Sequence, residues 1–420
     1  MAAQGEYGPS GRAGLSGFLW LWLPSVASML WGLGRAWSTG QADPWDWALP
    51  AASLMTAAGW LTARRGAAFS LWLPVWMAVG GAGMALIFCA RASGRMPDGV
   101  AALGLLAVAG LAACGGALLR RRFYLSGVPL LAGAALLPLF GPTGPVQPVP
   151  DRPTLAVMTA LPLFWAESGK AGPSETGMGP VDAPIVTILR TRFTVKPLDD
   201  PAGLAESGAR RLLLAQPRAL RPDQMVAIDR WVWDGGTAVI LADPSLRWPS
   251  ALPLGDRRRA PSITLLGPLL AHWGFSQAHG VEAKEIRHFL PDDGRLLTLS
   301  GAQSFGRDGF VATRRIGAGR VVLLGDADVL DDRLWLGDPA RPLDPRAWVA
   351  DTPTVLIDWL NRAPIEARRW IRTAPDMGAA LRWSLLVGTG WAIMGLMLFR
   401  RISVGFQAHA GPGKKRGETG

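Results

Sequence analysis

The chain is 420 residues long, 49% apolar and only 18% charged, with a formal charge of +11 at pH 7. That balance argues against a wholly water-soluble protein and for a membrane class, at a length that suits two or three domains. The only cysteines, Cys89 and Cys114, both fall in apolar runs, which excludes disulfides and thiol chemistry from the rest of the chain.

Uncharged runs at 13–34, 47–63, 66–90, 99–119 and 123–140 come first, and one at 383–399 comes last. Crossing a bilayer as a helix takes roughly 17–25 apolar residues, so each run predicts a span. The weakest is 47–63, which is Ala-rich and carries Pro50. The first run is long, rich in Trp and followed by further runs, which argues against a cleaved signal peptide. Arginines in short loops orient the spans. Arg64-Arg65, Arg120-Arg121-Arg122, and Arg400-Arg401 with Lys414-Lys415-Arg416 share one side if six spans alternate. With that side cytoplasmic, both termini lie inside. The segment between the fifth and sixth spans then lies outside, in the periplasm of a bacterial inner membrane. Arg91 and Arg95 stand against this arrangement and are outvoted. Much of the positive charge is therefore topology signal. It calls for a lipid bilayer and for no nucleic acid.

A membrane region at 1–141 leads into a Pro-rich stretch at 142–153, read as a stiff extended linker that lifts the next domain off the membrane. A water-soluble domain is expected over 154–375, before the last span and a basic tail at 400–420. Residues 155–161 read as a strand, and 167–180, rich in Gly, Ser and Pro, as a long loop. Then follow a helix at 184–192, strands at 193–198 and 211–215, and a helix at 221–233 with Met225, Ile228 and Trp231 on one face. Gly235-Gly236 ends that helix. A buried-type strand at 237–241 closes on Asp243-Pro244. A helix is expected at 261–273, strands at 310–315 and 320–324 around the turn 317–319, and a helix at 352–361. Strands alternating with helices predict an α/β domain with a largely parallel sheet and helices on both faces.

Residues 211–244, RLLLAQPRALRPDQMVAIDRWVWDGGTAVILADP, resemble the soluble domain of the auxiliary component of gliding-motility-type ABC transporters. In that family a strand leads through a Pro-containing turn to an amphipathic helix, Gly-Gly and a strand ending in Asp-Pro. Residues 319–330, GRVVLLGDADVL, are similar to its later strand-turn motif, and a membrane helix followed by Arg-Arg also fits. The resemblance covers about residues 150–401. It implies a class I glutamine amidotransferase-like fold without amidotransferase activity, and ABC ATPase and permease subunits as partners. The residues support the negative: that chemistry needs a cysteine nucleophile beside a histidine, and 154–375 holds no cysteine. Five preceding spans depart from the family's pattern, so the N-terminal region reads either as a degenerate permease or as a plain anchor.

Direct chemical signals are few. No G-x-x-x-x-G-K-[ST] occurs, so an ATPase would be a separate subunit, and no G-x-S-x-G marks a nucleophile elbow. His272, His279 and His288 lack metal-ligand spacing and read as structural or surface residues. Trp231 and Trp233, two apart on a helix, point to different faces rather than forming a sugar-stacking pair. Arg257-Arg258-Arg259 read as a solvated loop. Asp326, Asp328, Asp331 and Asp332 suit a divalent cation by chemistry but lack EF-hand spacing, and read instead as a strand-to-helix turn whose aspartates cap the next helix. No metal, cofactor or catalytic residue is therefore expected. Ligands of open α/β sheets bind beyond the carboxyl ends of strands. That makes Gln216, Asp243, Asp326 and Asp328 the candidates for a ligand or partner face.

The expected function is a non-catalytic, membrane-anchored accessory subunit of an ABC-type transport or envelope complex. The rivals are an envelope scaffold without a transporter and a degenerate hydrolase using carboxylates. Paired carboxylates about 5–10 Å apart in an open pocket would favour the hydrolase.

Overall fold

The computed structural model describes residues 9–63, 71–140, 144–165, 182–275, 284–305, 309–365 and 369–409. Arg64-Arg65, the loop 167–180, His279 and the basic cluster 414–416 lie outside the described residues. In chain order come five helices: α1 (Pro9–Thr39), α2 (Ala48–Thr62), α3 (Trp72–Ser93), α4 (Gly99–Arg120) and α5 (Tyr124–Phe140). Strands and helices then alternate through β1 (Thr154–Thr159), α6 (Pro184–Leu189), β2 (Thr194–Pro197), α7 (Gly203–Glu206), β3 (Arg211–Ala215), α8 (Pro222–Trp233), β4 (Thr237–Leu241) and α9 (Gly267–His272). The strands β5 (Glu285–Phe289), β6 (Leu296–Ser300), β7 (Val311–Ile316) and β8 (Gly319–Leu324) follow, and the helices α10 (Asp332–Trp335), α11 (Thr352–Trp359) and α12 (Ala374–His409) close the chain. The chain forms two units, one of Met1–Pro142 with Arg369–Gly420 and one of Thr143–Arg368.

The first unit is helical. Leu15–Thr39, Trp72–Ser93, Gly99–Arg120 and Ala374–Phe399 are long and apolar enough to cross a membrane, whereas Tyr124–Leu139 is apolar but shorter. The expected run 47–63 yields only the 15 residues of α2, because Trp47 closes a separate 3-10 turn that Asp43 caps by accepting from the Trp45 amide (3.1 Å). Small residues set the contacts. A Cβ on Gly59 would lie 2.1 Å from the Ala113 carbonyl oxygen, and one on Gly116 would lie 2.2 Å from that of Thr56, so α2 and α4 meet backbone to backbone. Between α3 and α12, Trp76 and Trp391 stack at 4.1 Å, and each indole N–H donates to the other's carbonyl (3.2 and 2.9 Å).

The second unit is built on a six-stranded sheet of order β2-β1-β3-β4-β8-β7. All neighbours are parallel except the hairpin β7–β8. β3 and β4 are continuous apolar runs because both their faces are covered. On one face, Met158, Leu212, Leu214, Ile240 and Leu323 meet Ile228 and Val232 of α8 and Leu269 of α9. The crossover β1–α6–β2 runs along the sheet opposite to β3–α8–β4, so with right-handed connections α6 covers the other face, where it touches α11. A small antiparallel hairpin, β5–β6, interrupts the path from β4 to β8. Within the stretch expected as a stiff Pro-rich linker, the Val146 and Val149 amides donate to Leu343 and Thr191 carbonyls (2.7 and 2.9 Å).

Candidate functional site

The parallel strands all run the same way, so their carboxyl ends form one edge of the domain. Gln216 follows β3, Asp243 follows β4, and Asp326 and Asp328 follow β8. The register aligning Ala215 with Leu241 and Leu241 with Leu324 brings the four together. None of them is on the surface: Gln216, Asp243 and Asp326 are fully buried and Asp328 is 2% exposed.

Gln216 has a left-handed backbone (φ +42°), uncommon for a residue with a side chain. Its amide accounts for the placement. Nε2 donates to the Asp243 and Pro261 carbonyls (3.2 and 2.9 Å), and Oε1 accepts from the Asp243 N–H (2.9 Å). The carboxylates stitch loops in the same manner. Asp243 accepts from the Ser245 and Ala327 amides (2.7 and 3.0 Å). Asp326 accepts from those of Ser300 and Val329 (2.6 and 3.2 Å). Asp328 Oδ2 accepts from the Arg247 amide (2.7 Å).

One carboxylate oxygen from each of Asp243, Asp326 and Asp328 lies within 4.8 Å of the other two. Burial raises the Asp243 carboxyl above its ordinary range, against the pull of its backbone amides. Asp326 is pushed well up by burial and by the neighbouring charge of Asp243. Burial, then the charges of Asp243 and Asp331, push Asp328 up to about 7. These carboxylates are too close together and too enclosed to meet an external substrate as an open acid/base pair. Asp243, distant in sequence, joins Asp326 and Asp328 in this group.

The other acidic residues of the GDADVLDD segment separate from this group. Asp331 caps α10 by accepting from the Arg333 amide (3.1 Å) and pairs with the Arg333 guanidinium (2.6 Å). Trp231 donates to the Ala209 carbonyl (3.1 Å), while Trp233 is exposed, so the two form no stacking pair. His272 lies 3.5 Å from Asp229, and burial lowers the basicity of His288, whose ring meets Phe310. Arg258 pairs with Asp256 at 2.9 Å, and 257–258 are exposed.

Sequence reading missed a crevice of about 580 Å³ lined by Thr159, Phe164, Trp165, Asp199, Arg218 and Arg221 among others. It opens between the ends of β1 and β3, where the strand order reverses, which is the favoured ligand position in open α/β sheets. The strand order was the missing information.

Residues 184–334 match a family described as a domain of unknown function (DUF4350). No curated protein matches the chain. Among solved structures, an exo-beta-1,4-mannosidase, Op5Man5 from Opitutaceae bacterium strain TAV5, is 12% identical over 54% of this chain and 44% of its own, with a TM-score of 0.23. Gan42B, a GH42 beta-galactosidase, is 13% identical over 57% of this chain and 34% of its own, with a TM-score of 0.28. The chain thus spans less than half the length of either protein, and likenesses this slight carry no chemistry across.

Proposed function

We propose that the chain is a membrane-anchored, non-catalytic accessory subunit of an ABC-type transport or envelope complex in a bacterial inner membrane. In this reading the apolar helices of the first unit anchor it beside an ATPase and a permease. The domain with the parallel sheet faces the periplasm and binds a substrate or partner, both termini are cytoplasmic, and the N-terminal helices are either a degenerate permease or an anchor. The supporting observation is the division of labour along the carboxyl edge of the sheet. Gln216 and five of the six carboxyl oxygens of Asp243, Asp326 and Asp328 are buried and bonded to backbone groups, whereas among the described residues the crevice at the strand-order reversal is open to a ligand. The resemblance of residues 211–244 and 319–330 supplies the partners. Purification of the tagged full chain in mild detergent, with mass spectrometry of what accompanies it, is the test. An ATPase and a permease in fixed ratio are expected. Recovery of the chain alone, under conditions that keep a known ABC complex intact, would sink the proposal and favour the scaffold.

A further inference from the structure

The three buried carboxyl groups of Asp243, Asp326 and Asp328 are not evenly partnered. They carry six oxygens, and five of these accept a backbone N–H: from Ser245 and Ala327 on Asp243, from Ser300 and Val329 on Asp326, and from Arg247 on Asp328. Amide donors favour the ionised form of a carboxylate over the protonated one. The sixth oxygen, Oδ1 of Asp328, is buried and meets no donor among the described residues. A buried acceptor left in this state costs its full desolvation. Two arginines act on the group through charge, Arg247 on Asp243 and Asp328 and Arg333 on Asp328, and both side chains are exposed. The framework thus orients three buried carboxyl groups toward one another and leaves one of their oxygens without a donor.

We propose that Asp243, Asp326 and Asp328 together hold one divalent cation of the oxygen-preferring class: Ca²⁺, Mg²⁺ or Mn²⁺. Carboxylate-only donor sets with no nitrogen or sulfur suit these hard ions and not zinc or copper. A carboxylate oxygen that accepts one amide keeps a second lone pair, so the five existing bonds orient ligands rather than exclude an ion. The ion would clamp the loops after β4 and β8 to each other. Through Asp326 and the Ser300 amide, it would also hold them to the end of β6. Its role is structural, at the floor of the carboxyl edge, and it stands independently of any transport partner.

The test uses the full chain in mild detergent, stripped with a chelator and exchanged to pH 8. Calorimetric titration with CaCl₂, MgCl₂ and MnCl₂ in turn should show one ion per chain for at least one of the three. At an ion concentration 100-fold above Kd, thermal unfolding of the α/β domain should shift up by about 5 °C or more. Asp328→Asn and Asp243→Asn should each weaken binding at least tenfold and abolish that shift, while Asp338→Asn, at the surface and paired with Arg341, should bind as the parent does. Failure of all three ions to bind the parent chain overturns the proposal, and this arm needs no variant to fold. Binding that survives both Asp328→Asn and Asp243→Asn also overturns it, because the ion then sits elsewhere.

Discussion

Asp328 shows how one carboxylate can set the pH response of a domain. Its folded-state value of about 7 lies above the roughly 3.9 of an unfolded aspartate. A carboxyl raised in this direction binds its proton more tightly when folded. Its contribution to stability is fully present below about pH 4 and is lost as pH rises through about 7. Asp326, raised well above the ordinary range, adds with the same sign. In chelator, the unfolding temperature of the α/β domain should therefore fall by a few degrees between pH 5 and pH 8. Asp328→Asn, which removes the charge and keeps the shape, should flatten that fall. A thermal scan across this range reads both, and a parent profile already flat would show that these carboxyls do not change protonation on folding. Sequence reasoning could reach Asp243, Asp326 and Asp328 because each terminates an apolar strand. It could not foresee that their side chains turn inward, since that depends on the loop amides of Ser245, Ala327 and Arg247 that wait for them.

Elements were legible where burial alone shapes them and illegible where a neighbour intervenes. β3 and β4 read directly from RLLLA and TAVIL, and α8 from its amphipathic spacing and its Pro222 start. The helix expected at 261–273 is cut to Gly267–His272. Before it, the Pro261 carbonyl accepts from Gln216 and the Thr264 amide donates to the Asp243 carbonyl (2.6 Å), so the backbone groups a longer helix would need are used by the site. β5, EIRHF, alternates charge with apolar residues weakly and finds its place only through the partner strand β6 and the Arg295–Asp358 pair (2.6 Å) that ties the hairpin to α11. In the helical unit the decisive residues are glycines that hydropathy cannot rank. Gly116→Ala puts a methyl group against the Thr56 backbone, which cannot swing away as a side chain would. It should lower the unfolding temperature of the helical unit by several degrees. Gly110→Ala on the same helix, with nothing within 4 Å of its Cβ, should be neutral or slightly stabilising. Equal melting curves for the two variants would show that the α2–α4 contact is looser than drawn.

At the scale of the whole molecule, the proposal that the α/β domain is exported makes a claim about sidedness, and the chain's cysteine usage provides the means to test it. Cys89 and Cys114 both belong to the helical unit, so replacing them by alanine removes every thiol without touching residues 143–368. Ala205, exposed at the surface of the α/β unit within α7, is then a site for one introduced thiol, Ala205→Cys. A second probe, Gly66→Cys, follows Arg64-Arg65, whose charges predict a cytoplasmic loop. A membrane-impermeant maleimide added to cells with a permeabilised outer membrane should label the first variant within minutes and the second only after lysis. The reasoning rests on loop arginines counted across several short connections, a rule that Arg91 and Arg95 oppose and that two like-signed clusters, Arg64-Arg65 and Arg120 to Arg122, carry. Labelling of Gly66→Cys from outside, with Ala205→Cys protected, would invert the orientation. The α/β domain and its buried carboxylates would then face the cytoplasm, and the periplasmic accessory role would fall with it.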